Sequence, residues 1–453
     1  MKTLVALCAA FAASAALANS DPLTGVAAPG GAGIGAFTSV ERSPYRGAGQ
    51  RYDFLPLYLY EGEHAYLHSY SVGLKFGDVL NEPRFDVFLR HRFEGFPYDR
   101  IPDSIAGMAK REAGLDAGAS AQLGGAWGIA FVEVLHDVAG ASHGNEYKLG
   151  YRYPWRSGRL WIRPHAYLGL RDARLNDYYY GVRPDEATAT RPAYSAGSGV
   201  NAELGLWAAY NLTERWRLIG GLSYTRWAKT VRDSPVVEGL GTQRQVTLGL
   251  MYDITPEHEA WPEGRPLIMR VYHGDSSDCN VLQIAELRCT STHTKDRTTI
   301  TGFDIGRPFI ERLNGWPLDI AGFLGFIHHD EAGFQPDFWQ LNAYFKAYYY
   351  GFPWSERIRT RVGLGVGLSY AQRISQMEQR DLADRGRNTS KLLEVLDPTA
   401  DFSVGDLIGV RSLRSTFLGV GVSHRSGIFG SSHLFGNTNG GSNFIYTYLE
   451  TSF

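Results

Sequence analysis

Between Glu203 and Leu212, the residues Leu204, Leu206, Ala208, Tyr210 and Leu212 fall on every second position. From Gln245 to Ile254, Val246, Leu248, Leu250, Tyr252 and Ile254 face one way, and Gln245, Thr247, Gly249 and Asp253 the other. The longest such segment is Arg357 to Ala371. There Ile358, Thr360, Val362, Leu364, Val366, Leu368 and Tyr370 oppose Arg359, Arg361, Gly363, Gly365, Gly367 and Ser369. Side chains of a strand alternate between faces, so each segment is a strand with one apolar and one polar side. Globular strands run about 5–6 residues, whereas a tilted membrane strand needs about 9–11. The length of these segments predicts an all-β chain of transmembrane antiparallel β-barrels. Aromatic residues near strand ends (Tyr348-Tyr349-Tyr350, Phe352, Trp354, Trp216, Trp227) are placed as girdles at a lipid interface would be.

Composition fits a cylinder that is greasy outside and wet inside: 13% aromatic residues, 53 Gly and 26 Tyr. Beyond the N-terminus the chain has no long apolar run, which excludes helical spans. The net charge of −2 gives no case for a nucleic-acid partner. Met1-Lys2-Thr3, an apolar run from Leu4 to Ala18 and the ending Ala16-Leu17-Ala18 read as a signal peptide, 1–18. Leu7 before Cys8 argues against a lipoprotein. Cys279 and Cys289 flank a polar segment, and in an oxidising envelope they pair as a loop-closing disulfide or remain free thiols. The chain closes on Phe453 after a strand from Asn443, as substrates of outer-membrane barrel assembly do.

Thr255 to Gly264 holds two Pro, a Gly and three Glu, a linker composition. The expected order is a leader (1–18), an extension (19–30), a first barrel (31–254), a linker (255–266) and a second barrel (267–453). The first is expected to have roughly 10–12 strands and the second about eight, even-numbered as bacterial barrels are. Strands of the second are expected near 267–274, 298–311, 317–328, 337–351, 357–373, 399–410, 414–425 and 443–453, with a charged helix over Ser375 to Leu396. A single barrel of about 18–20 strands remains open at this point.

The first half carries an ordered set of motifs: Ser43-Pro44-Tyr45-Arg46-Gly47, Leu55-Pro56-Leu57-Tyr58-Leu59-Tyr60-Glu61-Gly62, Asp177-Tyr178-Tyr179-Tyr180-Gly181-Val182, Arg191-Pro192-Ala193-Tyr194 and Asp233-Ser234-Pro235-Val236-Val237. Ser-Pro-Tyr-Arg-Gly reads as a turn, with Pro fixing φ. The Tyr cluster reads as an interface belt. The set resembles the MipA/OmpV family of outer-membrane proteins over about residues 30 to 254. That family includes MltA-interacting protein, regarded as a scaffold between a lytic transglycosylase and a peptidoglycan synthase, alongside porin-like and adhesive members. The resemblance implies a scaffold or envelope role with murein hydrolase or synthase partners.

In the second half, Phe417 to Val422 runs into Ser423-His424-Arg425-Ser426-Gly427. His424 and Ser426 share parity with Leu418, Val420 and Val422, so they project toward lipid. A serine hydroxyl beside an imidazole base is the minimum for acyl transfer. The arrangement resembles PagL lipid A deacylases, eight-stranded barrels with a His-x-Ser motif and a lipid-facing site. That resemblance implies Ser426 as nucleophile, His424 as base and Asn443 as the residue that orients the His, acting on outer-membrane lipid (lipopolysaccharide). Asn443 stands where the family has Glu, and Gly427 where it has Asn, which removes a charge and alters the oxyanion arrangement. His136, Asp137 and His143, together with His328-His329-Asp330 and His433, sit near loops without metal-site spacing. No metal or cofactor is expected. Three functions stay open: a MipA-type scaffold, an acyl-ester hydrolase on lipid A or phospholipid, and a passive channel.

Overall fold

The computed structural model describes residues 20–27, 30–77, 83–96, 101–238, 241–254, 266–292 and 294–453. The expected leader 1–18 lies outside the described residues, as does nearly all of the expected linker 255–266. The chain divides into two units, Met1–Glu259 and Ala260–Phe453. Each closes on itself, so the single large barrel is ruled out: Gln243–Asp253 pairs back onto Ala32–Arg42, and Gly441–Ser452 onto Ile268–Ser276. Among the described residues the first is a closed 12-strand antiparallel barrel and the second a closed 8-strand one.

The first barrel uses Ala32–Arg42, Gln50–Glu61, Ala65–His68, Ser71–Phe76, Arg84–Arg92, Gly114–Gly125, Gly128–Asp137, Asn145–Arg152, Leu160–Arg171, Gly199–Asn211, Trp216–Arg226 and Gln243–Asp253. A short piece, Trp155–Ser157, continues the line of Asn145–Arg152 along Leu160–Arg171. The second uses Ile268–Ser276, Thr299–Ile310, Leu318–Asp330, Phe338–Tyr349, Thr360–Ala371, Leu392–Ser403, Thr416–Ser426 and Gly441–Ser452. In each barrel the connections at one end are longer: 93–113, 172–198 and 227–242 in the first, 277–298, 372–391 and 427–440 in the second. Outer-membrane barrels carry their long loops outside and short turns toward the periplasm, which identifies the outer end of each.

Alternation sorts the side chains. Val132, Val134, Leu149, Leu204, Leu206, Val246 and Leu248 point out and are exposed in the first barrel, as are Val271, Phe303, Leu324, Phe326, Val362 and Leu364 in the second. Soluble monomers rarely show contiguous apolar patches beyond a few hundred Å², so this surface belongs in lipid. Prolines fall where the strand ladder lapses. Pro308 stands at a register shift, Pro398 where pairing with Thr416–Ser426 is interrupted, and Pro164 opposite the gap before Trp155. A residue without an N–H costs least there. Gly302 is glycine because its cross-strand partner Tyr272 lies over it, 2.1 Å from where a Cβ would stand.

The second barrel's interior is filled by its own side chains. Arg270 Nε donates to Asp304 (2.8 Å), its Nη1 to Asp397 (3.0 Å), and Lys346 donates to the same Asp397 carboxylate at 2.5 Å. Nearer the inner end, Arg361 forks onto Asp401 (2.9 and 2.7 Å) and reaches Glu450 (2.8 Å), which also accepts from Tyr348 (2.7 Å). Buried charges are tolerated only when paired in this way; removing one partner costs about 3–5 kcal/mol.

The first barrel's interior also holds buried ion pairs, Arg92 with Asp116 (2.7 Å) and Arg171 with Glu94 (2.6 Å) among them, and takes in a piece of chain besides. The segment Ser20–Ala27, expected to be a plain extension, runs inside the lumen. Arg163 donates to the carbonyls of Thr24 (2.7 Å), Asp21 (3.1 Å) and Pro22 (2.8 Å), and Arg217 to that of Val26. Glu133 accepts from the Ser20 N–H (3.1 Å) and hydroxyl (2.7 Å), while Asp21 meets His68 at 3.2 Å. Asp21, Leu23 and Val26 are fully buried.

Two local expectations are corrected. The helix expected to reach Leu396 spans only Gln376–Asp384, because Gly386 adopts φ of +62° and turns the chain. The strand expected at 399–410 is therefore Leu392–Ser403, followed by a short helix, Val404–Ile408.

Held by Arg163, Arg217 and Glu133, this segment takes up lumen space that a channel would need. Deleting residues 20–27 is expected to produce stepwise conductance in planar bilayers, where the full chain produces none; equal silence of both proteins would refute a plugging role for the segment.

Candidate functional site

The motifs of the first half meet at its outer end. Tyr45, Tyr179, Tyr180, Val236 and Val237 bury together with Phe96, Ile105 and Trp227 in one apolar cluster over the barrel mouth. Tyr45 donates its hydroxyl to the Tyr179 carbonyl (3.2 Å), Ser234 donates its hydroxyl to that of Tyr180 (2.6 Å), and the Arg46 N–H bonds to the Val236 carbonyl (2.9 Å). Val182 and Tyr194 exchange two backbone bonds. Tyr179 and Tyr180 are each about 1% exposed, so they form the core of an extracellular cap and not the interface belt expected of them. Trp227 belongs to the same core. True girdle positions are Trp216, packed edge-on against Tyr252, and Trp354, stacked on Phe352, all near inner ends.

Below this core, Arg111 forks onto Glu186 at 2.9 and 2.7 Å. Burial raises the pKa of the Glu186 carboxyl, but the Arg111 fork and the N–H groups of Arg183 and Ala109 outweigh it and bring it down to about 2.

In the second barrel, His424 and Ser426 stand at the outer end of Thr416–Ser426, half-buried and on the lipid side. The antiparallel register sets His424 against Asn443 on one flank and Leu396 on the other, and Ser426 against Gly441 and Glu394. The His424 ring meets Asn443 Oδ1 through Nδ1 at 2.7 Å. With a carbonyl oxygen as acceptor, Nδ1 carries the proton and Nε2 keeps its lone pair, the tautomer a general base needs. No hydrogen bond joins Ser426 to His424 among the described residues. Glu394, opposite Ser426, was missed by the sequence pattern because Pro398 and a helix-like run before it displaced the expected strand.

Cys279 and Cys289 are joined, with Cα atoms 5.7 Å apart. The loop they close packs Cys279 and Ile284 onto Val422, with Ile445 alongside. It thus covers the lipid face one step below His424 and Asn443. Arg380 fastens the same loop through Asp278 and Asp296.

His136 bonds Asn145 at 2.9 Å, and Asp137 binds the N–H groups of Ala139, Ser142 and His143 to shape its turn. His328 and Asp330 point outward, whereas His329 points inward, bonds Gln340 (2.9 Å) and stacks on Phe338. His433 lies in a separate turn, 433–435. Among the described residues no group of three or more His, Cys, Asp or Glu is placed to hold a metal.

The family model described as MltA-interacting protein MipA matches residues 34–254, ending where the first barrel ends. Outer membrane protein Omp26La of Vibrio anguillarum is 31% identical over 210 residues, 45% of this chain and 79% of its own length. The chain belongs to the MipA/OmpV family. Outer membrane protein OmpV of Vibrio cholerae serotype O1 is 30% identical over 163 residues, 36% of this chain and 62% of its own. MltA-interacting protein of Escherichia coli (strain K12) is 25% identical over 240 residues, 52% of this chain and 92% of its own. Among solved structures, a bacterial polysaccharide outer membrane secretin covers 93% of this chain and 98% of its own at a TM-score of 0.22 and 8% identity, too low to compare folds. As a MipA/OmpV barrel, the chain resides in the outer membrane.

For the MipA/OmpV cap, the sign of the Glu186 shift sets a pH dependence. A carboxylate held below its ordinary 4.5 stabilises the folded form above that value and loses this contribution as pH falls toward about 2. Glu186→Gln should therefore speed hydrogen exchange of residues 172–198 at pH 7, and the gap from wild type should narrow below pH 4.5. Identical exchange at pH 7 would show that the pair does not hold the cap.

Proposed function

We propose that this MipA/OmpV barrel is an envelope scaffold: an outer-membrane anchor that holds murein hydrolases and synthases in one assembly. Its family membership carries this reading, together with a relative named for interaction with MltA. The filled interiors support it, since a barrel occupied by Ser20–Ala27 and another packed with ion pairs suit anchoring better than transport. Affinity capture of the tagged full chain from detergent-solubilised envelopes is expected to enrich a lytic transglycosylase or a peptidoglycan synthase well above an unrelated barrel of similar size. Recovery of neither enzyme would remove the scaffold.

A second reading, of an acyl-ester hydrolase on lipid A or phospholipid, is favoured by the 2.7 Å contact between His424 and Asn443 on the lipid side. In that reaction the Ser426 hydroxyl attacks the ester carbonyl while His424 Nε2 takes its proton. The proton passes to the leaving alcohol, and water, deprotonated by the same His, releases the fatty acid. Asn443 would orient the ring without stabilising its cationic form. Mass spectrometry of lipid A from wild-type, deletion and Ser426→Ala strains separates the two readings: a chain missing only in wild type supports the hydrolase, and equal acylation in all three excludes it for lipid A.

A further inference from the structure

The connections 331–337 and 372–391 at the outer end of the second barrel border an open cavity of about 640 Å³. Its wall includes Arg373, Arg387 and Lys391, with Gln372, Gln379 and Thr389, and no carboxylate. In the lumen and beneath the loops of this barrel, by contrast, Arg270, Lys346, Arg361, Arg380 and Arg425 each sit in an ion pair. On the neighbouring helix Glu378 pairs with Arg425, and Asp381 with Arg385. Among the described residues neither Arg373 nor Lys391 has a carboxylate partner. Arg387 is held toward the cavity's edge by donating to the carbonyl of Asn439.

Like charges gathered around a concave surface raise the local concentration of anions. Arg and Lys together match phosphate, the first as a planar fork and the second as a point charge. The volume lies in the ~300–1,000 Å³ range of small-molecule sites and far exceeds the needs of one inorganic phosphate. Amide and hydroxyl groups among the cations provide partners for sugar hydroxyls. The outer end, moreover, is where a lipid of the outer leaflet presents its headgroup.

We propose that this cavity binds a phosphorylated sugar, with Arg373 and Lys391 on the phosphate and Gln372 and Thr389 on the saccharide. The site does not include Ser426, and its occupancy does not require catalysis. The test uses the full chain in phosphatidylcholine nanodiscs, with three probes: bisphosphorylated lipid A, the same lipid dephosphorylated, and soluble glucosamine 1-phosphate. Lipid A should bind, its dephosphorylated form should not, and Arg373→Gln with Lys391→Gln should weaken binding by about tenfold or more. Ser426→Ala should leave binding unchanged, so loss of the hydrolase reading would not touch this one. Glucosamine 1-phosphate bound as tightly as lipid A would assign the site to free sugar phosphates; much weaker binding would assign it to the glycolipid. Equal binding of the dephosphorylated lipid, or an unaffected double variant that retains its heat-modifiable barrel, overturns the proposal.

Discussion

A backbone in hydrocarbon can send its N–H and C=O groups only to another strand, and a sheet with an open edge leaves a row of them unmet. Both units of this chain answer that constraint by closure, the first through Gln243–Asp253 on Ala32–Arg42 and the second through Gly441–Ser452 on Ile268–Ser276. Once the ring is shut, the remaining features follow from which side of the wall each residue faces. The outer side must be apolar over its whole height, so polar chemistry is confined to the lumen, the loops and the rim.

The two lumens satisfy the same demand by different means. In the second barrel, guanidinium and carboxylate groups from opposite walls meet at the axis, and tyrosine hydroxyls take the remaining lone pairs. The first barrel also pairs its cations with carboxylates, Arg92 with Asp116 and Arg171 with Glu94 among them, but Arg163 is met by main-chain carbonyls of the segment 20–27. The segment 20–27 thus adds main-chain groups to a lumen otherwise lined by side chains of the wall.

The rim of the second barrel carries a polar pair on its lipid side. His424 and Asn443 face outward just above the place where the Cys279–Cys289 loop lies on the wall, and Arg380 ties that loop to the helix Gln376–Asp384. That helix in turn is fixed to the lumen through Glu378 and Arg425. A disturbance of the disulfide loop would therefore reach both the lipid face and the barrel mouth. The cationic cavity beside the same helix shares this scaffold but none of the rim residues.

Much of the fold was legible in the sequence, because alternation is a local property and its period directly reports which face a residue occupies. The run of Pro, Gly and Glu at residues 255–264 reads as a linker by the same kind of local reasoning, from composition alone, and lies outside the described residues. The contact of His424 with Asn443 could be anticipated from parity and from the adjacency of the last two strands. What the sequence left undecided are pairings between distant positions: Tyr45 with Tyr179, 134 residues apart, or Arg163 with Pro22, 141 apart. Parity says that Arg163 points inward, yet only the closed cylinder says what it meets there. The Tyr cluster shows the limit most clearly: an aromatic run beside a loop suits a lipid girdle or a buried cap equally well, and the folding of four loops onto one another chose the cap.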